Sequence, residues 1–228
     1  MDLSPLIISI KTAFLATIIT FFLGIYAARF VMRMKRYKGL VDGIFTLPMV
    51  LPPTVVGFFL LLSLGKNSFI GQLLAQFELS VVFSWTATVI TATVVAFPLM
   101  YRTTRGAFEQ IDSNIIYAAR TLGLSETKIF WRIVLPVAWP GVAAGTILAF
   151  ARALGEFGAT IMLAGNIPGR TQTMATAIYT AVQAGDRQMA FQWATVIMII
   201  SFISMMLLNY WSRYEKKWLT KQRSKLKG

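Results

Sequence analysis

The chain has 228 residues, of which 56% are hydrophobic and only 14% are charged. Soluble domains carry about 45–50% apolar and about 25% charged residues, so both values indicate a membrane protein. The sequence contains no cysteine and no histidine. This excludes disulfides, thiolate metal sites and catalytic mechanisms that need a cysteine or an imidazole. The net charge of +13 in so hydrophobic a chain is typical of basic cytoplasmic loops.

Five apolar tracts are long enough to cross a bilayer, whose hydrocarbon core of about 30 Å requires about 20 helical residues. They cover residues 6–30, 44–64, 81–100, 137–164 and 191–211. The sequence therefore predicts an all-α integral membrane protein with five transmembrane helices. We expect one permease-like domain over residues 1–228, with a membrane core at about 6–212.

Basic residues are distributed unevenly between the segments that connect these tracts. Segments 31–43 (counted with Arg29), 101–136 and 212–228 hold five, five and seven Lys or Arg, whereas loops 65–80 and 165–190 hold three. Seventeen against three predicts a chain with its N-terminus outside and its C-terminus in the cytoplasm. We interpret the basic tail at 212–228 as a cytoplasmic anchor that contacts membrane lipid, because no aromatic platform for nucleic acid accompanies it.

The second tract contains three prolines, Pro48, Pro52 and Pro53. Each proline removes a backbone donor and clashes with the preceding helical turn. Irregular backbone at membrane depth is tolerated only inside protein or beside water. We therefore expect this helix to lie inside the bundle near a pathway; a structural kink without a transport role is the alternative.

The segment 101–136 has the features of two short helices bent at a glycine. Asp112, Ser113 and Asn114 can cap a helix over 114–122, and Gly123 can end it with a positive φ. Ser125 can cap a second helix over 126–133, which Leu135-Pro136 would end before the next span. Such a compact pair could lie on the membrane surface or form a docking element.

The same segment carries a longer pattern, Ala118-Ala119-x-x-x-Gly123 followed after nine residues by Ile133-x-Leu135-Pro136. It resembles the cytoplasmic signature loop of type I ABC importer permeases, although Tyr117 stands where that family has Glu. The stretches 47–57, 83–85, 118–123, 150–160 and 166–169 resemble the molybdate permeases of this class, over essentially residues 5–212. Sulfate and tungstate permeases share parts of these motifs.

The resemblance implies a permease subunit of the inner membrane that moves molybdate by alternating access, or sulfate or tungstate as alternatives. It implies a homodimer with two cytoplasmic ABC ATPase subunits, which bind ATP and Mg²⁺, and a periplasmic oxyanion-binding protein. The chain itself would bind no cofactor or metal and catalyse no reaction. The loop that docks on the ATPase would use Tyr117, Ala118, Ala119, Gly123, Leu124, Ile133, Leu135 and Pro136.

The fourth tract carries a stripe of small residues, Gly141, Gly145, Ala149 and Ala153. Small residues every four positions allow close helix packing in membranes. The stripe could pack within the subunit or form the homodimer contact.

Two further patterns supply candidate pathway residues. Arg152 and Glu156, four apart, are expected on one helix face, either as a structural ion pair or as part of an external anion vestibule. The hydroxyls of Ser84, Thr88 and Thr91 could line a pathway, or bond to their own helix and pack between helices. With the proline-rich bend, the candidate pathway residues are Pro52, Pro53, Thr54, Ser84, Thr88, Thr91, Arg152 and Glu156.

The outer loop 165–190 begins with polar residues and continues with a helical stripe of Met174, Ile178 and Val182. It could meet a binding protein through Arg170, Asp186 and Arg187, or lie flat on the membrane.

Other classes of protein fit the sequence less well. The chain has no Gly-x-x-x-x-Gly-Lys-Ser/Thr, so it has no P-loop for ATP. A membrane enzyme would lack the usual catalytic residues, and a stand-alone channel or secondary transporter would not need the signature loop.

Overall fold

The computed structural model describes residues 2–34, 36–77 and 80–225, with the side chains of the last helix described to residue 207 and at Tyr210. Within these ranges every regular element is a helix. The elements are α1 (Ser4–Arg33), α2 (Lys38–Val50), α3 (Pro53–Leu64), α4 (Phe69–Ala75), α5 (Trp85–Glu109), α6 (Ser113–Thr121), α7 (Glu126–Ile129), a π-helical turn (Phe130–Val134), α8 (Leu135–Leu154), α9 (Gly158–Leu163), α10 (Met174–Gln183) and α11 (Arg187–Lys225). The side chains of the basic tail lie outside the described residues.

Three helical stretches of the described chain are long and apolar enough to cross a membrane: 4–33, 126–154 and 187–207. A fourth candidate is the pair α2 and α3, which meet at an angle of 111°. The expected third span corresponds to α5, whose 25 residues would reach about 37 Å at 1.5 Å per residue. Its many threonines make it less apolar than the other three. The chain is thus a multi-pass membrane protein built from helices.

The main core lies where α1, α5 and α8 pack together, with α10 and α11 against them. Alanines dominate the contacts, and glycines let the backbones approach closely: a Cβ on Gly24 would lie 2.6 Å from Cγ of Met100. The small stripe of α8 belongs to this core, because a Cβ on Gly141 would meet Cβ of Ala107 at 2.4 Å. Of the two interpretations of this stripe, packing within the subunit is confirmed.

The proline-rich second tract was expected inside the bundle near a pathway, but within one chain it lies at the edge of the bundle. Helix α2 buries none of its residues, and α3 buries only Val56 and Gly57. The cause is local: Leu51 and Pro52 both precede a proline, which forces both into extended conformations, with ψ of 143° and 135°. Two extended residues in succession turn the chain, and α3 packs sideways on α9 instead of entering the core.

The expected fourth span is also interrupted. Helix α8 ends at Leu154, and α9 begins only at Gly158. Helix α10 buries Met174, Ala177 and Ala181, whereas Val182 of the expected stripe is 62% exposed.

Candidate functional site

The candidate docking loop begins later than the sequence suggests. Helix α5 continues to Glu109, and Tyr101, expected at the start of the loop, is fully buried in the core. The first short helix, α6, is confirmed: the side chain of Asp112 caps it by accepting a hydrogen bond from Asn114 N at 2.9 Å. Gly123 follows with a φ of +75°, as the bend requires.

The loop presents one face to the core and the other to solvent. Ala119 and Ile129 are buried, and Phe130 packs edge-on against Phe108 with ring centroids 5.6 Å apart. Leu124, Ile133 and Leu135 lie partly buried against the same core. The exposed face carries Tyr117, Ala118 and Leu122, so apolar side chains are available to a partner.

The end of the second short helix differs from the expectation. Ser125 caps α7, accepting from Lys128 N at 3.4 Å, but Leu135-Pro136 does not end the helix. Instead the chain passes through the π-helical turn into α8, with Leu135 N donating to Phe130 O. Pro136 has no N–H and would clash in a regular helix, and a wider turn relieves that clash. The loop is therefore continuous with a core helix.

Sequence reasoning missed an ion pair that ties the two short helices together. Arg120 Nε lies 2.6 Å from Glu126 Oε1, and Arg120 Nη2 lies 3.2 Å from Glu126 Oε2. A separation of six residues is not a helical spacing, so only the bend at Gly123 brings the two groups together.

A second missed cluster fastens α2 to α5. Arg105 forms ion pairs with Asp42 and with Glu109, and Tyr101 Oη donates to Asp42 Oδ1 at 2.8 Å. Lys38 Nζ lies 3.3 Å from Glu109 Oε1. Arg105 and Glu109 are four apart on one helix, but the contacts to Asp42 and Lys38 join residues far apart in the chain, which no local pattern reveals.

Arg152 and Glu156 form the expected ion pair, with Nη1 and Oε2 2.8 Å apart. They do not share a helix, however, because Glu156 lies in the break after α8. Glu156 is 2% exposed, and its Oε1 accepts a hydrogen bond from Ala159 N at 2.8 Å, in the first turn of α9. The carboxylate thus holds the break together, which favours the structural interpretation of the pair.

The hydroxyl face of α5 is used inside the protein. Thr88 and Thr91 are fully buried. Oγ1 of Thr88 lies 2.8 Å from that of Thr12, and Oγ1 of Thr91 lies 3.0 Å from that of Thr160. Both hydroxyls also donate to carbonyls of their own helix. These are the bonds of the packing interpretation, and they link α5 to α1 and to α9.

The two broken spans meet at their breaks. A Cβ on Gly158 would lie 3.0 Å from Cβ of Pro53 and 3.2 Å from Thr54 N. The structure thus brings Pro53 and Thr54 next to the break that holds Glu156.

Ser84 lies apart from this junction, at the start of α5, where its hydroxyl donates to Val81 O. In loop 165–190, Arg170, Asp186 and Arg187 are exposed, and Asp186 Oδ1 accepts from Met189 N at the start of α11. The described residues hold no cluster of metal-ligating side chains.

A bundle of membrane helices with two broken spans and a small helical loop joined to its core defines the chain as a membrane transport subunit. It belongs to the family of binding-protein-dependent transport system inner membrane components, whose family model matches residues 20–214.

Relatives extend over nearly the whole chain. It is 41% identical to the molybdenum transport system permease protein ModB of Haemophilus influenzae, over 95% of this chain and 96% of that protein. The identity to ModB of Escherichia coli K12 is 40%, over 92% and 93% of the two chains. Among solved structures, a chain of a bacterial alginate ABC transporter in complex with its alginate-bound periplasmic protein matches with a TM-score of 0.75 and 17% identity, over 94% of this chain and 79% of that one. At that identity the match concerns the fold alone.

Proposed function

We propose that the chain is the permease subunit of a binding-protein-dependent ABC importer that moves molybdate across the inner membrane. The observation that carries this proposal is the identity of about two residues in five to molybdenum transport permeases over more than nine-tenths of both chains. The docking loop, with its capped α6, positive-φ Gly123 and exposed Tyr117 and Leu122, supports an importer driven by a separate ATPase.

The proposed topology has five membrane crossings with the N-terminus outside. Three apolar helices, the bent pair α2–α3 and the long α5 supply five candidates. The asymmetry of Lys and Arg supports the orientation, because it puts the docking loop and the tail on the cytoplasmic side.

The proposed assembly is a homodimer with two ATPase subunits, which carry ATP and Mg²⁺, and a periplasmic oxyanion-binding protein. The absence of a P-loop from the sequence supports separate ATPases. A second copy is proposed because five crossings are few for a sealed pathway, and two copies would give ten.

The permease is proposed to conduct the oxyanion without binding it tightly. Arg152 is paired with Glu156, and the hydroxyls of Thr88 and Thr91 form hydrogen bonds with threonines of other helices. A conduit must also release what it takes up, so weak contacts suit it. Selectivity among molybdate, tungstate and sulfate would then come from the external binding protein. The junction of Pro53, Thr54 and the Arg152–Glu156 pair is the remaining candidate for a pathway contact.

The test is reconstitution of the permease in vesicles, alone, with the ATPase, and with both the ATPase and the binding protein. We expect ATP-driven molybdate uptake only in the full system, and preference for one oxyanion only when the binding protein is present. Uptake by the chain alone would identify a channel or secondary transporter instead. Sub-micromolar molybdate binding to the permease alone would contradict the weak-contact proposal.

A further inference from the structure

A cavity of about 140 Å³ lies between the end of α1 and the docking loop, and three arginines line it: Arg29, Arg33 and Arg120. Glu126 is the only carboxylate among the lining residues, which otherwise include the apolar side chains of Ile116 and Ile129. We refer to it as the arginine cavity. With three guanidinium groups and one carboxylate, its lining carries a net charge of about +2 at neutral pH.

The positive charge of the arginine cavity is incompletely compensated. Arg120 engages both carboxylate oxygens of Glu126. Arg29 and Arg33 form no salt bridge with any described residue. The guanidinium of Arg29 instead lies over the ring of Phe130, 4.1 Å from its centroid, where the ring fixes it without neutralising it.

Glu126 shows where an anionic group can lie among these arginines. It accepts hydrogen bonds from Arg120 and lines the same cavity as Arg29 and Arg33. A single carboxylate therefore occupies a region that three guanidiniums stabilise. Guanidinium groups bind phosphate-like oxyanions through paired N–H donors more strongly than neutral donors do.

We propose that the arginine cavity binds a tetrahedral oxyanion group, through Arg33 and Arg29 and in competition with Glu126 for Arg120. The group is either a free oxyanion of the cytoplasm or the phosphate of an inner-leaflet phospholipid, since both present the same tetrahedral oxygens to guanidinium donors. The cytoplasmic placement rests on the proposed function, but the binding does not. Because α6, α7 and the π-helical turn form one wall, an occupant would contact the docking loop directly.

Three substitutions in the full-length chain, each of which removes one charge, test the proposal. They should respectively weaken, strengthen and leave unchanged the affinity for the oxyanion. Arg33→Gln removes an uncompensated donor of the cavity and should weaken binding about tenfold. Glu126→Gln removes the competing carboxylate and should strengthen binding. Lys128→Gln is the matched control, because it removes one positive charge, as Arg33→Gln does. Lys128 lies exposed on α7 beside Glu126 but does not line the cavity. This variant should leave the affinity within about twofold.

Two arms distinguish the sources of the oxyanion. In the first, calorimetry on lipid-depleted protein in detergent measures the binding of inorganic phosphate, sulfate and molybdate. In the second, native mass spectrometry measures the phosphatidylglycerol and phosphatidylcholine retained by protein from membranes. Binding in the first arm with the expected signs supports a free oxyanion. Retention of phosphatidylglycerol that Arg33→Gln abolishes and Lys128→Gln preserves supports a lipid phosphate.

Several results would overturn the proposal. The proposal is overturned if neither arm of the experiment shows binding. It is also overturned if Arg33→Gln and Lys128→Gln reduce binding equally, which would indicate diffuse surface charge. If neither arm shows binding and Arg33→Gln releases the ATPase, the cavity takes a carboxylate of the partner protein instead. Failure here would be distinct from failure of the proposed function, since neither arm measures transport.

Discussion

Two regions of the molecule pack in different ways. In the core of α1, α5 and α8, small residues bring long helices together over their whole length, and even Tyr101 and Phe108 are fully or almost fully buried. In the arm formed by α2, α3 and α9, short helices end at breaks, and only small clusters around Val56 and Leu163 are buried. The core is continuous, whereas the arm is joined to it at these two small clusters and, through α2, at the ion pairs of Asp42 and Lys38.

This difference indicates that the core and the arm have different roles in the proposed transporter. The docking loop is joined to the core through the π-helical turn, whereas the two breaks that meet at Pro53 and Gly158 lie in the arm. Movement received at the loop would have to pass through the core to reach the arm. The predictions that follow test how separate the two regions are.

The largest effect is expected at Arg152 and Glu156, which join the end of α8 to the arm. Glu156→Gln leaves Arg152 unpaired and should cost about 3 kcal/mol of unfolding free energy, at the lower end for a buried pair because Arg152 is partly exposed. Arg152→Gln should cost more, because it leaves the carboxylate of Glu156, which is 2% exposed, without its charged partner, and the double variant should cost less than the sum. Denaturation in detergent measures this cycle, with the exposed Arg170→Gln as control. Additive losses would show that the pair does not hold the junction.

The second effect concerns the packing of α3 on α9. A Cβ on Gly57 would lie 2.7 Å from Cα of Ala159, and backbone cannot move aside as a flexible side chain can. Gly57→Ala should therefore cost about 1–3 kcal/mol and lower uptake. Gly43→Ala is the matched control in the same arm, because nothing lies within 4 Å of its Cβ position and alanine favours helix. Equal stability of the two variants in a detergent melt would contradict the close contact.

The third effect tests the loop as an extension of the core. Gly123 has a φ of +75°, which costs an L-residue about 1–2 kcal/mol. Gly123→Ala should lower the uptake per ATP hydrolysed without changing hydrogen exchange in α3 and α9. The control is Gly106→Ala in α5, where a Cβ has open space and φ is not positive. Unchanged coupling in Gly123→Ala would mean that the bend at Gly123 is not needed at the interface.

The sequence predicts the core better than the arm, and the reason is physical. Hydropathy locates helices that bury apolar faces, and Asp112, Gly123 and Ser125 act through bonds to residues nearby in the chain. The prolines at 52 and 53 reveal that a helix breaks there. They do not reveal the 111° angle, because that depends on which face of α3 finds α9.

Long-range partners account for most of what the sequence could not predict. The spacing of Gly141 and Gly145 marks a packing face but does not say that α5 covers it. Arg105 reaches Asp42 across more than sixty residues, and Arg120 reaches Glu126 only across the bend. Hydroxyls on one face of α5 are compatible with a pathway or with packing, and only the positions of Thr12 and Thr160 decide between them.

The smallest effect separates the two regions through a matched pair of threonines on α5. Thr88 bonds to Thr12 within the core, and Thr12 keeps a second partner, Trp85 Nε1, at 3.1 Å. Thr91 bonds to Thr160 of the arm. Thr91→Val should therefore cost more than Thr88→Val, with each close to the average of about 0.6 kcal/mol for such bonds in membranes. Hydrogen exchange provides the sharper measurement: Thr91→Val should speed exchange in α9, and Thr88→Val should leave α9 unchanged. If both variants loosen α9 equally, core and arm form one cooperative unit, and the loop could move the arm only by moving the whole subunit.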